Sequence, residues 1–340
     1  MRASAPYAEL ASNFVRDLWC IRTGSRHFRP LMTNFYLTKG CNLRCRYCYP
    51  PGDEPCLPVD EAVALLERIR PHNPALNLTG GEPLMYPGIS RILRRAHELR
   101  FRPLLLSTNG LLLDRVEDDL QLVDHVVISL DSTCQPVCDA MFGVPGATPR
   151  VIQAIRRAGH LAYENGFVLS LHTVVAPETF PGIEGVLDLC EEVGARLSLS
   201  PEHGRFDPHP ELPGNPEYTS MIDRVLAWKA QGRPVFCSDA YLEAIRDFPA
   251  HGCFPLLSPR VEPDGRVYFP CQRIADRQVY LQDYPSLCEL MQREADWSTE
   301  PECGRRCYLE CYLEVERYLQ SPFAALSEAW MRRTLLGKRA

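Results

Sequence analysis

Residues 41–48 read Cys41-Asn42-Leu43-Arg44-Cys45-Arg46-Tyr47-Cys48, and this run governs how the rest of the chain is read. The spacing is Cys-x3-Cys-x2-Cys, directly after an apolar, strand-like stretch from Asn34 to Thr38. Three thiolates can hold three irons of a four-iron, four-sulfur cluster and leave the fourth iron without a protein ligand. An open iron binds a further molecule, so the spacing points to a reactive cluster rather than an electron wire. Taken by itself, the same spacing also suits a zinc knuckle or a group of buried thiols.

Composition narrows the setting. The chain has 340 residues, 45% hydrophobic and 24% charged, the profile of a soluble globular protein of one large or two ordinary domains. No apolar run approaches the roughly 18–20 residues of a membrane span. The first ten residues lack the basic and then apolar layout of a signal peptide. Fifteen cysteines without a secretion signal argue for metal ligation or redox chemistry in a reducing cytoplasm rather than for disulfides. A net charge of −6 gives no nucleic-acid footprint.

Six short β-rich segments recur, at Met32–Thr38, Ala75–Thr79, Pro103–Ser107, His125–Leu130, Phe167–Val175 and Arg196–Ser200. Helical periodicity fills the intervals, at Val59–Arg70, Ile89–Leu99, Asp114–Leu122, Pro149–Asn165 and Ile183–Val193. Strand alternating with helix predicts an α/β fold with right-handed crossovers and a parallel sheet. The strands read as nearly continuous apolar runs. Six units are too few for a closed eight-stranded barrel, and in barrel-like folds the chemistry sits at the C-terminal ends of strands. The cysteine run follows the first strand, where that rule places it.

Three other strand ends carry motifs. After the second strand comes Thr79-Gly80-Gly81-Glu82-Pro83, whose glycines let the backbone approach a ligand and whose carboxylate can pair with a cation. The third strand ends in Ser107-Thr108-Asn109-Gly110 and the fourth in Ile128-Ser129-Leu130-Asp131. In combination with the cysteine run, these resemble the signature of the radical S-adenosylmethionine (SAM) enzymes. The resemblance implies that the open iron chelates the amino and carboxylate groups of SAM, and Tyr47 matches the aromatic that precedes the third cysteine in the family. It implies that Gly80, Gly81, Glu82 and Pro83 receive the SAM amino group, with the Glu82 carboxylate on the ammonium. Ser107, Thr108, Asn109, Ser129 and Asp131 would hydrogen-bond its carboxylate and ribose, Ser129 being the ribose contact. It also implies an open, partial (βα)6 TIM-like barrel and an electron donor such as flavodoxin or ferredoxin. One departure stands out. Many members follow Ser-Leu-Asp by Asp-x-Leu-Arg-Gly, whereas the matching stretch here, Asp139-Ala140-Met141-Phe142-Gly143, has no arginine.

The C-terminal part is cysteine-dense. Cys253 and Cys271 flank Pro263-Asp264-Gly265, a tight hairpin turn between β-prone Arg260-Val261 and Arg266-Val267-Tyr268-Phe269. Cys303, Cys307 and Cys311 follow at steps of four; on a helix they would share one face, each step advancing about 40°. The pattern resembles the front half of the auxiliary-cluster extension called SPASM, or its shortened form, twitch, although five residues rather than four separate Gly265 from Cys271. The full Cys-x2-Cys-x5-Cys-x3-Cys run is not present. Five candidate ligands suffice for one further four-iron cluster but not for two, so Cys253, Cys271 and Cys307 are taken as ligands, with the fourth drawn from Cys303 or Cys311. The expected organisation is an N-terminal helical extension (1–31), a core partial barrel (32–201), a linker and helix (202–250) and a small auxiliary-cluster domain (251–340).

Other residues are candidates for chemistry. His172 and His203, at the ends of the fifth and sixth strands, are candidates for polar contact or proton relay, or are satisfied structural histidines. Cys134 and Cys138 lie near the expected active-site face. In the helix at Tyr7–Trp19, Tyr7, Leu10, Phe14, Val15, Leu18 and Trp19 line one side. That side is expected to pack on the barrel, or else to touch a membrane surface or an apolar substrate. The resemblance implies reductive cleavage of SAM to a 5′-deoxyadenosyl radical and hydrogen abstraction from a small molecule, leading to oxidation, cross-linking or epimerisation. Maturation of a ribosomally made peptide ranks next and lipid modification third. The reading from a different class is a non-catalytic iron–sulfur redox sensor or electron carrier, for which the Gly-Gly-Glu-Pro segment would have no use.

Overall fold

A computed structural model describes residues 5–25, 27–48, 55–204, 207–269, 271, 273–274, 277–294 and 306–321. The chain divides into two compact units: residues 1–44, 49–126 and 255–302 form the first, and residues 45–48, 127–254 and 303–340 the second.

In the first unit, α1 (Ala5–Thr23) precedes β1 (Thr33–Tyr36), α2 (Val59–Ile69), β2 (Leu76–Thr79), α3 (Ile89–Glu98) and β3 (Leu104–Thr108). Strands β1, β2 and β3 pair in parallel, with Phe35 opposite Leu78 and Leu78 opposite Leu106. Helix α3 buries Ile89, Ile92, Leu93 and Ala96, the i, i+3, i+4, i+7 stripe of an amphipathic helix, and α2 buries Ala62, Leu65, Leu66 and Ile69. The strands answer with Leu76, Leu78, Leu104 and Leu106, all fully buried. The opposite strand faces carry Asn34, Tyr36, Asn77 and Ser107, which keep partial exposure.

The faces differ more than the apolar runs suggest: Phe35 and the leucines Leu76, Leu78, Leu104 and Leu106 are buried on one, while Asn34, Asn77 and Ser107 sit beside Tyr36 and Leu105 on the other. The stretch expected as a helix at Asp114–Leu122 is a run of 3-10 turns over Leu113–Leu122.

The C-terminal hairpin of this unit is also part of its sheet. Strand β7 (Arg260–Val261) runs parallel to β1 and antiparallel to β8 (Arg266–Phe269), which pairs with β9 (Arg277–Tyr280). Asp264 and Gly265 make the turn as the sequence predicts, with Gly265 N–H donating to the Glu262 carbonyl.

Helix α1 packs differently from expectation. Asn13, Asp17 and Cys20 are buried, while Tyr7, Val15 and Trp19 are exposed. Asn13 Nδ2 donates to the His72 carbonyl at 2.8 Å and Asp17 accepts the Arg29 N–H at 3.1 Å. Polar side chains and Cys20, rather than the apolar stripe, face inward, and Asn13 Oδ1 and Asp17 Oδ2 are buried without a hydrogen-bond partner among the described residues.

The second unit carries β4 (His125–Ser129, from Val127 on), α4 (Gln135–Phe142), α5 (Ala147–Asn165), β5 (Val168–Val175), α6 (Ile183–Val193) and β6 (Arg196–Pro201). Then come α7 (Pro216–Ala230), α8 (Asp239–Asp247) and α10 (Glu310–Gln320), while α9 (Leu287–Glu294) belongs to the first unit. Strands β5 and β6 are parallel over six residues, His172 lying opposite Ser198 and Val174 opposite Ser200. Asp139, in the stretch that lacks the family's arginine, has a structural task. It accepts the Gly146 and Thr148 N–H groups and the Thr148 hydroxyl, closing the entry to α5. No helix among the described residues is long and apolar enough to cross a membrane.

Candidate active site

The end of β2 is built onto the backbone that leads into Cys41. Gly81 N–H donates to the Thr38 carbonyl at 2.7 Å and Glu82 N–H to the Gly40 carbonyl at 2.8 Å. Gly80 adopts a φ of 152°, and a Cβ there would stand 2.4 Å from the Thr38 oxygen. A Cβ on Gly81 would stand 2.4 Å from the carbonyl oxygens of Lys39 and Gly40. The sequence reading assigns this close approach to a ligand; the structure gives it to the chain's own residues 38–40.

Glu82 is fully buried, and its carboxylate is enclosed by protein donors. Oε1 accepts from Leu84 N–H (3.0 Å) and from the Thr108 hydroxyl (2.7 Å), and Oε2 from Asn109 N–H (2.7 Å). Burial raises its pKa, opposed by those three hydrogen bonds. Asn109 passes the contact on: its Nδ2 donates to Asn42 Oδ1 at 2.6 Å and lies 3.9 Å from Cys41 Sγ. Leu43 N–H reaches the same sulfur at 3.4 Å. Glu82 thus acts as a clamp between the ends of β2 and β3, a role that a Gly-Gly-Glu-Pro motif alone does not announce. Pro83 opens the 3-10 turn behind it, and Ser107 donates to Asn77 Oδ1 at 2.9 Å.

The segment Cys45–Cys48 is fixed within the second unit. Cys48 N–H closes on the Cys45 carbonyl and Arg46 N–H on the Met141 carbonyl, both at 3.1 Å. Tyr47 Oη donates to Asp131 Oδ2 at 2.7 Å, and Val174 N–H to Asp131 Oδ1 at 2.9 Å. Burial lifts Asp131 to about 6 and, with the Asp131 charge, holds the Tyr47 hydroxyl well above its usual range. Ser129 lies at the end of β4 and keeps partial exposure.

His172 stands in the middle of β5 with Nδ1 2.9 Å from Ser198 Oγ and Nε2 2.9 Å from Ser200 Oγ. Glu310, at the start of α10, places Oε2 3.4 Å from Nδ1. Burial pulls the imidazole down to about 4, so the ring is neutral near pH 7. Yet 23% of its side chain stays accessible. His203 is differently employed: its Nε2 accepts the Tyr308 N–H at 3.1 Å, and its ring stacks on Tyr308. Cys138 is buried and its thiol is pushed up to about 11 by burial, which removes it as a nucleophile at neutral pH. Cys134 is exposed at the entry to α4.

Of the C-terminal cysteines, Cys271 follows β8 in the first unit, and Cys253, Cys307 and Cys311 belong to the second; Cys303 lies outside the described residues. Cys307 is buried, while Cys253, Cys271 and Cys311 are partly exposed. Only Cys311 of the described pair Cys307 and Cys311 is helical, because α10 starts at Glu310 after an extended Leu309. Cys307 and Cys311 therefore do not share a helical face.

Among the described residues, no group of three or more His, Cys, Asp or Glu side chains converges on a single metal ion. Three thiols within eight residues, with amide donors from Leu43 and Asn109 directed at Cys41, fit a four-iron cluster with one open site.

Comparison with known proteins gives the same reading. Residues 35–190 match the family model of the Radical SAM superfamily. The AdoMet-dependent heme synthase of Oleidesulfovibrio alaskensis is 29% identical over 171 residues, covering 47% of this chain and 42% of that protein. The GTP 3',8-cyclase of Crocosphaera subtropica is 32% identical over 220 residues, covering 61% of each. The chain spans about half the length of the first curated relatives it matches. Among solved structures, Streptococcus suis SuiB bound to S-adenosylmethionine superimposes with a TM-score of 0.64 at 17% identity, over 81% of this chain and 67% of that one. Native anSMEcpe with bound AdoMet does so with a TM-score of 0.59 at 18% identity, over 90% and 99%. These likenesses show the fold, the α/β architecture expected from the strand–helix rhythm and the partial barrel that the resemblance implies.

Proposed function

We propose, from the match of residues 35–190 to the Radical SAM family model, an enzyme that cleaves SAM reductively and abstracts hydrogen from a small, polar substrate. Cys41, Cys45 and Cys48 would hold the four-iron cluster; when bound, cluster and SAM supply a 5′-deoxyadenosyl radical able to take hydrogen from an unactivated carbon. The chain's own residues prepare the place for this chemistry. Glu82 locks the strand ends beside Cys41, and the amide donors at its sulfur stabilise the thiolate and tune the potential of what it binds. Tyr47 and Asp131 anchor the segment that carries Cys45 and Cys48. A second cluster on Cys253, Cys271, Cys307 and either Cys303 or Cys311 would accept an electron from the substrate radical or help bind substrate.

The observation that carries the substrate class is the chemistry of the strand faces turned away from the helices. In the first unit a row runs from Ser107 to Asn77 (2.9 Å), from Asn77 to Asn34 (3.0 Å) and from Asn34 to Ser258 (3.0 Å). In the second unit His172, Ser198, Ser200 and Glu310 form a corresponding group. These groups already pair with one another, and a hydrocarbon tail laid beside them would leave their remaining donors and acceptors unmatched, at a cost of about 1–3 kcal/mol for each group left unpaired. A polar substrate can pair with them.

The test is 5′-deoxyadenosine formation by the reconstituted, reduced protein with SAM, in the presence of polar small-molecule, peptide or lipid fractions of a bacterial extract. Stimulation by the polar small-molecule fraction is expected. Stimulation confined to the lipid or the peptide fraction would overturn the substrate class.

A further inference from the structure

Arg46 stands between Cys45 and Cys48, and its guanidinium meets a pair of carboxylates. Its Nη1 and Nη2 donate to Glu178 Oε1 and Oε2 at 2.7 and 2.6 Å, and Nη2 also reaches Glu202 Oε2 at 3.0 Å. Both acceptors hang from pinned backbone. Glu178 lies in the turn after β5, which the Thr179 hydroxyl closes by accepting Ala176 N–H at 2.8 Å. Glu202 follows β6 directly, and its N–H donates to the Val175 carbonyl of β5 at 2.8 Å. Glu202 is also the least exposed of the three, with 13% of its side chain accessible. An isolated exposed ion pair contributes little, but a fork-to-fork pair with a second carboxylate is geometrically specific as well as attractive.

We propose that Arg46 is a positioning residue that docks the Cys45–Cys48 segment onto the ends of β5 and β6 and so presets the two thiols for a cluster. What the thiols hold rests on the radical SAM reading; the docking rests on the ion-pair geometry alone. Lysine cannot substitute fully, because a single ammonium cannot reproduce the planar fork.

Hydrogen–deuterium exchange of the metal-free protein tests the docking without any cluster. Arg46→Ala, confirmed folded by circular dichroism, is expected to raise exchange in the peptide spanning residues 45–48 by about fivefold, the scale of a weak surface network. The charge-swapped pair Arg46→Glu with Glu178→Arg is expected to recover most of that protection. In reconstituted protein, Arg46→Ala should lose iron to a chelator faster than wild type, with Arg46→Lys between them. Should Arg46→Ala fail to fold, Arg46→Lys carries the same comparison. Unchanged exchange in the folded single variant, or a swapped pair no better than it, would overturn the proposal. Altered exchange together with a wild type that binds no four-iron cluster would uphold the docking and overturn the radical SAM reading instead.

Discussion

Tyr47 donates its phenolic hydrogen to Asp131 at 2.7 Å, while the backbone of Val174 holds the other oxygen of the same carboxylate at 2.9 Å. One side chain from the cysteine run is thereby tied to the ends of β4 and β5, the strand ends at which chemistry is expected in a barrel-like fold.

Tyr47→Phe removes that donor and leaves the buried Asp131 carboxylate with the Val174 N–H. The cost should be about 1–3 kcal/mol of folding free energy, read from urea unfolding of the metal-free protein. The Asp131 pKa should also rise, because the hydrogen bond from Tyr47 is one of the interactions that holds it down. A phenylalanine variant as stable as wild type would mean that the hydroxyl does not anchor the segment.

Glu82→Ala strands the Thr108 hydroxyl and the Leu84 and Asn109 N–H groups in a site with no accessible surface. A loss of about 3–5 kcal/mol is expected, the range for breaking a buried charged network. Thermal unfolding of the metal-free protein measures it. If stability held and only the SAM dissociation constant rose, the carboxylate would serve SAM directly, as the motif alone suggests.

His172 predicts a pH dependence of definite sign. Its folded value of about 4 lies below the unfolded 6.5, so between those values only the unfolded ring binds a proton. The contribution is complete above about pH 6.5 and is lost as pH falls toward 4, amounting to about 3 kcal/mol. Nδ1 faces Ser198 and the Glu310 carboxylate, and Nε2 faces Ser200. Urea unfolding at pH 7, 5.5 and 4.5 should show wild type losing about that much more stability than His172→Gln. A constant difference between the two proteins would show that the ring titrates alike in both states.

The strand–helix rhythm was legible because leucine-rich strand faces and i, i+3, i+4 helix stripes are local patterns; all six expected strands form, with ends shifted by a residue or two. Helix α4 was missed because eight residues opening with Pro136 near its start give too short a period to detect. Helix α8 was missed too, though Ser238 capping Tyr241 N–H marks its start. The orientation of α1 misled because its buried face is Asn13 and Asp17, whose burial depends on acceptors and donors elsewhere in the chain. The same holds in the site. Cysteine spacing and strand-end motifs were readable, but Arg46 meets carboxylates 132 and 156 residues away, and no local pattern couples such positions. The polar rows were hidden for another reason: Ser198 and Ser200 alternate with Leu197 and Leu199 in a strand that reads as apolar when faces are not separated.

Iron analysis bears on the C-terminal cysteines. Reconstituted protein should bind roughly eight irons, as two four-iron clusters require, and replacing Cys41, Cys45 and Cys48 together with alanine should halve that figure. A folded Cys271→Ala, Cys307→Ala variant should keep the first cluster and cleave SAM, yet make little product. A wild-type content near four would remove the auxiliary cluster.

The most direct measurement is the fate of SAM on the reduced, reconstituted protein. Wild type should release 5′-deoxyadenosine and methionine, slowly even without substrate, and Cys45→Ala should release neither, because a cluster short of one thiolate does not present its open iron. Formation of S-adenosylhomocysteine alone, or 5′-deoxyadenosine at an equal rate from Cys45→Ala, would contradict radical chemistry at this site.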